Sequence, residues 1–318
     1  MKRLFFAIAL VAVGCLFMSA CATDSQSDSN SKPKAPERHG WEDPLYGDVE
    51  SVVIAEYKLE GKFGEVVRGD IVRSEKYYFN KAGDVIERAW CNSDGSLDWK
   101  HIYKYDASGN KIEEAGYRSD GSLWYKYIPK YDTSGNMIER ADYDSDGSLY
   151  MKTIYKYDDS GNMIEEAWCD SYGSLGSKRI YKYDASGNKI EEAHYNSDGS
   201  LDEKYTFKYD ASGNMIEEAK YNSYGSLYEK RIYKYDALGN MIERDSYNSD
   251  GSLRGKFIYK YDASGNMIEE ASYWSDGSLR EKIVYKYDTS GNMIEKSWYR
   301  GEALLPDRQT VCEITYRK

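Results

Sequence analysis

The feature that most limits how this chain can fold is its period. Glycines recur every 26 residues from Gly83 through Gly109 and Gly135 to Gly291 in an "SGN"-like phrase. A second series runs from Gly95 through Gly121 to Gly277 in "SDGS" or "SYGS", always 12 residues behind the first. A fixed period of this size marks a tandem array in which each copy packs on its neighbours. Each copy carries two turn signals. In Asp106-Ala107-Ser108-Gly109 the Asp can accept bonds from the backbone two residues on, and the Gly tolerates positive φ. Asn196-Ser197-Asp198-Gly199 has the same chemistry. The segments between turns, of the types "LxxKxIYKY" and "MIEEAxY", are short, alternating and rich in Tyr and Ile, which predicts strands. Glycine returns too often to leave room for a helix.

The chain is therefore expected to be all-β: 26-residue hairpin copies forming one long, coiled antiparallel meander of about 18 strands, solenoid-like, with closure into a barrel or shell open. If the turns fix the register, Tyr105 faces Lys111, Lys104 faces Ile112, Tyr103 faces Glu113, Tyr117 faces Leu123 and Glu114 faces Lys126. Alternation then places Ile102, Lys104, Ile112 and Glu114 on one face. Tyr103, Tyr105, Glu113, Ala115, Tyr117 and Leu97 fall on the other, expected to be concave. Crossing two strands advances residue 102 to 126, two short of the repeat, and such steady shear coils a sheet. Neither face suits lipid, since both repeat charged residues.

The start of the chain is different. Met1-Lys2-Arg3, an apolar run from Leu4 to Met18 and Ser19-Ala20-Cys21 have the order of a secretory signal ending at a lipoprotein cysteine. Residues 1–20 are read as the signal and Cys21 as the acylated residue, giving a lipid-anchored cell-envelope protein, outer membrane by the Ala22 beside it. Residues 21–44, poor in apolar side chains, form a tether. Residues 45–79 alternate without the phrase and are read as a β cap, 80–299 as the array, and 300–318 as a closing strand segment. The net charge is −11, and loss of Lys2 and Arg3 with the signal leaves the rest near −13. Such a surface repels phosphate backbones, so no nucleic-acid partner is expected. Besides Cys21, Cys91, Cys169 and Cys312 remain after processing, an odd set that does not suit a disulfide framework.

The phrase Tyr103-Lys104-Tyr105-Asp106 with Gly109-Asn110, recurring to Tyr285-Lys286-Tyr287-Asp288 with Gly291-Asn292, resembles the YD repeat of Rhs-type bacterial proteins. The resemblance covers Tyr77 to Tyr299. It implies antiparallel β shells, which in large members enclose a C-terminal toxin; no such domain follows Tyr299 here. It also associates the chain with surface carbohydrate contacts.

Candidate chemistry is sparse. Asp142, Asp144 and Asp146 match the first half of a calcium loop, but Thr153 stands where the bidentate Glu is needed, leaving a weak candidate. Glu113 and Glu114 point to opposite faces and cannot act as an acid/base pair, and Glu113 is the expected acceptor of Tyr hydroxyls. His101 and His194 read as surface variation. No cofactor is implied and no Ser/His/Asp set is visible. Trp90, Trp99, Trp124, Trp168, Trp274 and Trp298 occupy variable columns where aromatic platforms could stack on sugar rings, although packing is the plainer role. The reading is a non-enzymatic lipoprotein displaying a sheet for a glycan or protein partner. A spacer without a ligand is the alternative, and a hydrolase the least supported.

Overall fold

The computed structural model describes residues 45–62, 65–303 and 305–317, so Cys21, the signal and the tether lie outside the described residues. It contains 20 β-strands and no helix among those residues. Strands β1 (Val49–Lys62) and β2 (Glu65–Phe79) are long. The array begins with β3 (Val85–Cys91), β4 (Leu97–Tyr105), β5 (Lys111–Arg118) and β6 (Leu123–Tyr131), and continues to β19 (Met293–Arg300). Strand β20 (Arg308–Tyr316) pairs with both β19 and β1. Every strand is antiparallel to its two chain neighbours, so the meander closes into a barrel without a free edge, the arrangement that removes unpaired edge groups altogether.

Both turn types form as their residues require. Asp106 N donates to Asn110 O at 2.9 Å and Gly109, at φ 85°, donates to Asp106 O. The Asp106 carboxylate accepts from Ser108 N, Asn110 N and Asn110 Nδ2. At the other rim Arg118 N donates to Ser122 O, and Asp120 Oδ1 accepts from Ser122 N at 2.8 Å.

The turn-proximal pairs follow the expected register, Tyr105 with Lys111 and Tyr117 with Leu123, but one residue is then inserted. Ile112 and Trp124 are unpaired β-bulge residues, and the same shift recurs in the later copies. Beyond the bulges Lys104 faces Glu113, Tyr103 faces Glu114, Ile102 faces Ala115, and Ala115 faces Lys126. The expected Glu114–Lys126 pair is thus wrong: Glu114 faces Tyr127. The grouping of Tyr103 with Ala115 is wrong for the same reason, since a slip of one residue exchanges faces. The two bulges displace the pairing in compensating directions, so Ile102 still arrives at Lys126, and the two-residue shear is as expected.

That shear decides the inside. With the right-handed twist of β-sheet, strands that step back two residues per hairpin must carry Lys104, Ile102 and Ala115 outward and Tyr103, His101 and Glu114 toward the lumen. Inward convergence agrees: the Tyr125 hydroxyl reaches across β5 to His101 Nε2 at 2.9 Å. Strands touch only their chain neighbours and, through β20 and β1, each other at the seam. A ring of this strand number leaves a wide lumen.

Two interactions repeat through eight copies among the described residues. Outside, Lys104 meets Glu113 at 2.7 Å, and the same pair follows to Lys286–Glu295 at 2.6 Å. The lysines are about 60 % exposed, for example 63 % at Lys286, so each pair contributes little. Inside, the Tyr105 hydroxyl donates to Val85 O at 2.8 Å, Tyr131 to Lys111 O, and so on to Tyr287 with Met267 O. Each hydroxyl satisfies a carbonyl beside a bulge. A compact apolar cluster of Leu45, Val49, Val52, Tyr77, Phe79 and Val85 lies near the seam.

The alanine column facing outward is buried by its longer neighbours, as at Ala219 (2 % exposed). In one copy it holds Asp245, 7 % exposed, with Oδ1 lacking a hydrogen bond, Lys256 3.5 Å from it and only a long bond from the Tyr247 hydroxyl, 3.4 Å, on Oδ2. An under-satisfied buried carboxylate costs stability. Asp245→Ala is therefore expected to raise stability by about 1–2 kcal/mol, read as a higher urea midpoint; a lower midpoint would contradict the assignment.

Candidate functional site

The outer face repeats nearly the same side chains in every copy, while the lumenal face varies. Lumenal positions 88, 114, 140, 166, 192, 218, 244, 270 and 296 hold Arg, Glu, Arg, Glu, Glu, Glu, Arg, Glu and Lys. Several of the glutamates accept tyrosine hydroxyls: Tyr127 to Glu114 at 2.5 Å, Tyr181 to Glu166 at 3.0 Å, Tyr233 to Glu218 at 2.6 Å. Glu114, not Glu113, is the tyrosine acceptor, which exchanges the roles expected from sequence. Burial first, then the hydrogen bond and charge of Glu114, push the Tyr127 hydroxyl far up. The bulge explains a further contact. Lys111 Nζ lies 2.9 Å from Glu114 Oε2, a spacing of three residues that a regular strand would send to opposite faces.

The six tryptophans divide into distinct settings. Trp90 and Trp99 stack with centroids 3.3 Å apart, and the Arg88 guanidinium lies 4.2 Å from the Trp90 ring. His101 sits against both, and burial, opposed by Glu114, pushes its imidazole down. Gly116 makes room for this cluster, because a Cβ there would lie 2.6 Å from Tyr125 Cε1. The faces of Trp90 are thus occupied by packing. Trp298 is covered by Lys296 and Arg308, the latter 4.1 Å from its ring. Trp124 and Trp274 are half-exposed, Trp124 against the edge of Trp99 and Trp274 under Arg280. Trp168 lines a groove.

That groove, of about 600 Å³, opens beside β10 (Leu175–Tyr183). In each copy, two residues after the strand-initial leucine project at this rim. Elsewhere they include Trp124-Tyr125, Tyr150-Met151 and Asp202-Glu203, but here they are Gly176-Ser177. The missing side chains leave the space. Tyr150 and Trp168 wall one side; His194, Asn196 and Asp202 line the other. Arg179 lies 4.9 Å from the Trp168 ring and 3.7–3.8 Å from Glu166 and Glu192, with no hydrogen bond to either. Its donors face the groove unspent. His194 is clamped, Nε2 2.7 Å from Glu192 Oε1 and Nδ1 3.1 Å from Glu203 Oε1. Each of those carboxylates is also held by a lysine, Lys189 at 2.6 Å and Lys220 at 2.5 Å. Aromatic walls with fixed amide, carboxylate and guanidinium groups suit a ring-shaped polyol.

Asp142, Asp144 and Asp146 do not assemble a cation site. Asp142 Oδ1 is 2.6 Å from Arg140 Nη2, and Asp146 Oδ1 accepts from Ser148 N within its turn. No metal-binding group of three His, Cys, Asp or Glu occurs among the described residues. Cys91, Cys169 and Cys312 are free thiols.

No family model matches this chain, and no curated protein does. Among solved structures it is similar to a porin-like protein from Bacteroides uniformis, 9 % identical over 89 % of this chain and 99 % of that one, TM-score 0.38. It is also similar to the Photorhabdus luminescens Tc holotoxin pore, 13 % identical over 77 % of this chain, TM-score 0.21, and to the TcdB2–TccC3 complex, 11 % identical over 76 %, TM-score 0.22. It spans 19 % and 20 % of those two chains. Likenesses this distant carry no functional weight; the repeat β architecture stands on the strands themselves.

Sequence reasoning passed over Gly176, Ser177, Tyr150 and Arg179, and it read His194 as surface variation, whereas the imidazole is largely covered and held between Glu192 and Glu203. The available signal was "LGSKR", the one copy in which both residues after the leucine are small.

Burial would raise the Glu192 carboxyl, but hydrogen bonds from His194 and Lys189 outweigh it and draw it down to about 2. A carboxylate depressed on folding stabilises fully above its unfolded value, near 4.3, and loses that contribution as pH falls toward 2. Glu192→Gln is expected to lower stability at pH 7 by about 1–2 kcal/mol after screening. The variant should also show a smaller drop between pH 7 and pH 3 than the parent in urea titrations. An unchanged pH dependence would refute the clamp.

Proposed function

We propose that this chain is a non-enzymatic lipoprotein of the cell envelope, anchored through Cys21 and probed from outside by a glycan that enters the Trp168 groove. The anchor rests on the order of residues 1–21. The binding reading rests on one observation: a single copy lacks the side chains that fill the wall elsewhere, and the resulting space is lined by an aromatic ring and unspent polar groups. We infer a relationship to YD repeats from the phrase Tyr103-Lys104-Tyr105-Asp106 with Gly109-Asn110, whose Asp, Gly and second Tyr each have a turn or bulge role here. The outer ring of Lys–Glu pairs favours water, not hydrocarbon, around the barrel.

The nearly uniform outer face also supports the spacer reading, under which groove substitutions change nothing. The two separate cleanly. Ser177→Tyr installs the side chain that Tyr125 supplies two copies earlier and fills the groove without touching a turn. On a glycan array with the purified chain, a bound glycan is expected to lose at least about tenfold in affinity on this substitution, roughly 1.4 kcal/mol. Trp168→Ala should weaken it as well. A folded Ser177→Tyr protein that binds as the parent does would remove the groove from consideration.

A further inference from the structure

The groove does not stand alone on its rim. Trp124 and Tyr150 occupy, in the two preceding copies, the position that Gly176 holds in the groove copy, and they are 48 % and 64 % exposed. Tyr172 projects from the adjoining turn, 93 % exposed. The opposite rim bears less aromatic surface, with Tyr316 42 % exposed; its most exposed large hydrophobic side chain is Leu238. It also receives the described chain, since Tyr46 N donates to Asn292 Oδ1 and Arg317 pairs with Asp48 there. Both described termini therefore lie at the opposite rim.

Equivalent positions in successive copies lie two strands apart, about 10–12 Å once shear is included. That is close to the length of two linked hexose rings. In flat, extended polysaccharides of the cellulose or chitin kind, alternate rings are turned over, so the same ring face returns at every second residue. A row reading aromatic, aromatic, groove at that interval matches such a chain. The rim also excludes polyanions. Asp120, Asp146, Asp198 and Asp202 stand on it, and hydrogen bonds from the following serine hold Asp120, Asp146 and Asp198 below the usual carboxylate range. Nucleic acid, anionic lipid and uronate polymers would be repelled.

Building on the groove reading, we infer that the ligand is an uncharged, extended polysaccharide with a two-residue repeat, lying along the rim over Trp124, Tyr150 and the Trp168 groove. Each aromatic stacks on one disaccharide unit, and the groove seats the third.

The test is a length series on the full chain, using N-acetylglucosamine and glucose oligomers of two, four and six rings, with binding followed by calorimetry. Affinity should rise about tenfold or more from the disaccharide to the hexasaccharide, corresponding to about 1.4 kcal/mol. Trp124→Ala changes a half-exposed side chain outside the groove and should flatten the rise while leaving disaccharide binding intact, whereas Tyr150→Ala, which also removes a groove wall, should flatten the rise and weaken the disaccharide as well. A helical, α-linked glucose hexamer should gain nothing from length. Disaccharide binding without a length effect, or a length effect untouched by both variants, would overturn the rim track and leave the groove standing. Absence of binding by every oligomer would overturn the track and the groove reading together.

Discussion

Everything distinctive about this barrel depends on one extra residue at the start of each array strand. The turns alone would pair strands as the glycine spacing dictates. Inserting Ile112 or Trp124 after the turn moves the remaining ladder by one, and with it the identity of both faces. At each Ile112-type insertion the carbonyl before the bulge accepts the hydroxyl of the tyrosine at the end of the neighbouring strand, as Lys111 O does from Tyr131. This explains why the column of Tyr105 is Tyr in all eight copies through Tyr287, with Phe79 at the equivalent place only in the cap strand β2: the ring could be replaced, but the donor could not. It also explains how Lys111 and Glu114 share a face.

Once the bulges have set the faces, the two sides of the wall have different freedoms. The outer side carries the small residue that lets Lys, Ile and Tyr close over the backbone, and the Lys–Glu pair that marks each hairpin. A change there is felt by both neighbouring strands, as the poorly satisfied Asp245 illustrates. The inner side faces a lumen too wide for opposite strands to touch. A substitution there meets only its neighbours along the wall, so Trp90, His194, Lys220 and Ser272 can occupy one column. Variation among copies concentrates where packing permits it, and that is also where a specific site can arise without loss of the barrel.

The sequence carried the period, both turns, the strands, the compensated shear and the option of closure, because Asp, Asn and Gly have local conformational preferences that need no partner. It did not carry the bulge. No Gly or Pro marks Ile112 or Trp124, and the tyrosine that stabilises the bulge acts across space on a carbonyl 20 residues earlier. Adjacent glutamates added to the ambiguity, since either Glu113 or Glu114 could be matched with a lysine. The tryptophans drew attention as rings, yet Trp90 and Trp298 are covered by neighbouring side chains that no spacing rule reveals. The groove was invisible for the opposite reason: it consists of what Gly176 and Ser177 lack, and a search for chemistry-bearing residues passes over small ones.

Charge satisfaction separates the groove from most of the lumen, although Arg244 Nε also lacks a partner. Most lumenal charges are already committed: Glu114 to Tyr127 and Lys111, Arg231 to Glu218 and Glu229, Arg140 to Asp142. Such groups gain little from a ligand, because binding would exchange one good hydrogen bond for another. Arg179 differs in having carboxylates near enough to fix its charge but too far to accept its protons. A ligand hydroxyl placed there would complete bonds that the protein leaves open, beside an indole already positioned to cover a sugar ring. The copy with the smallest side chains is thus also a copy with uncommitted donors, and it is this coincidence, more than the number of aromatic rings, that singles out one stretch of an otherwise repetitive wall.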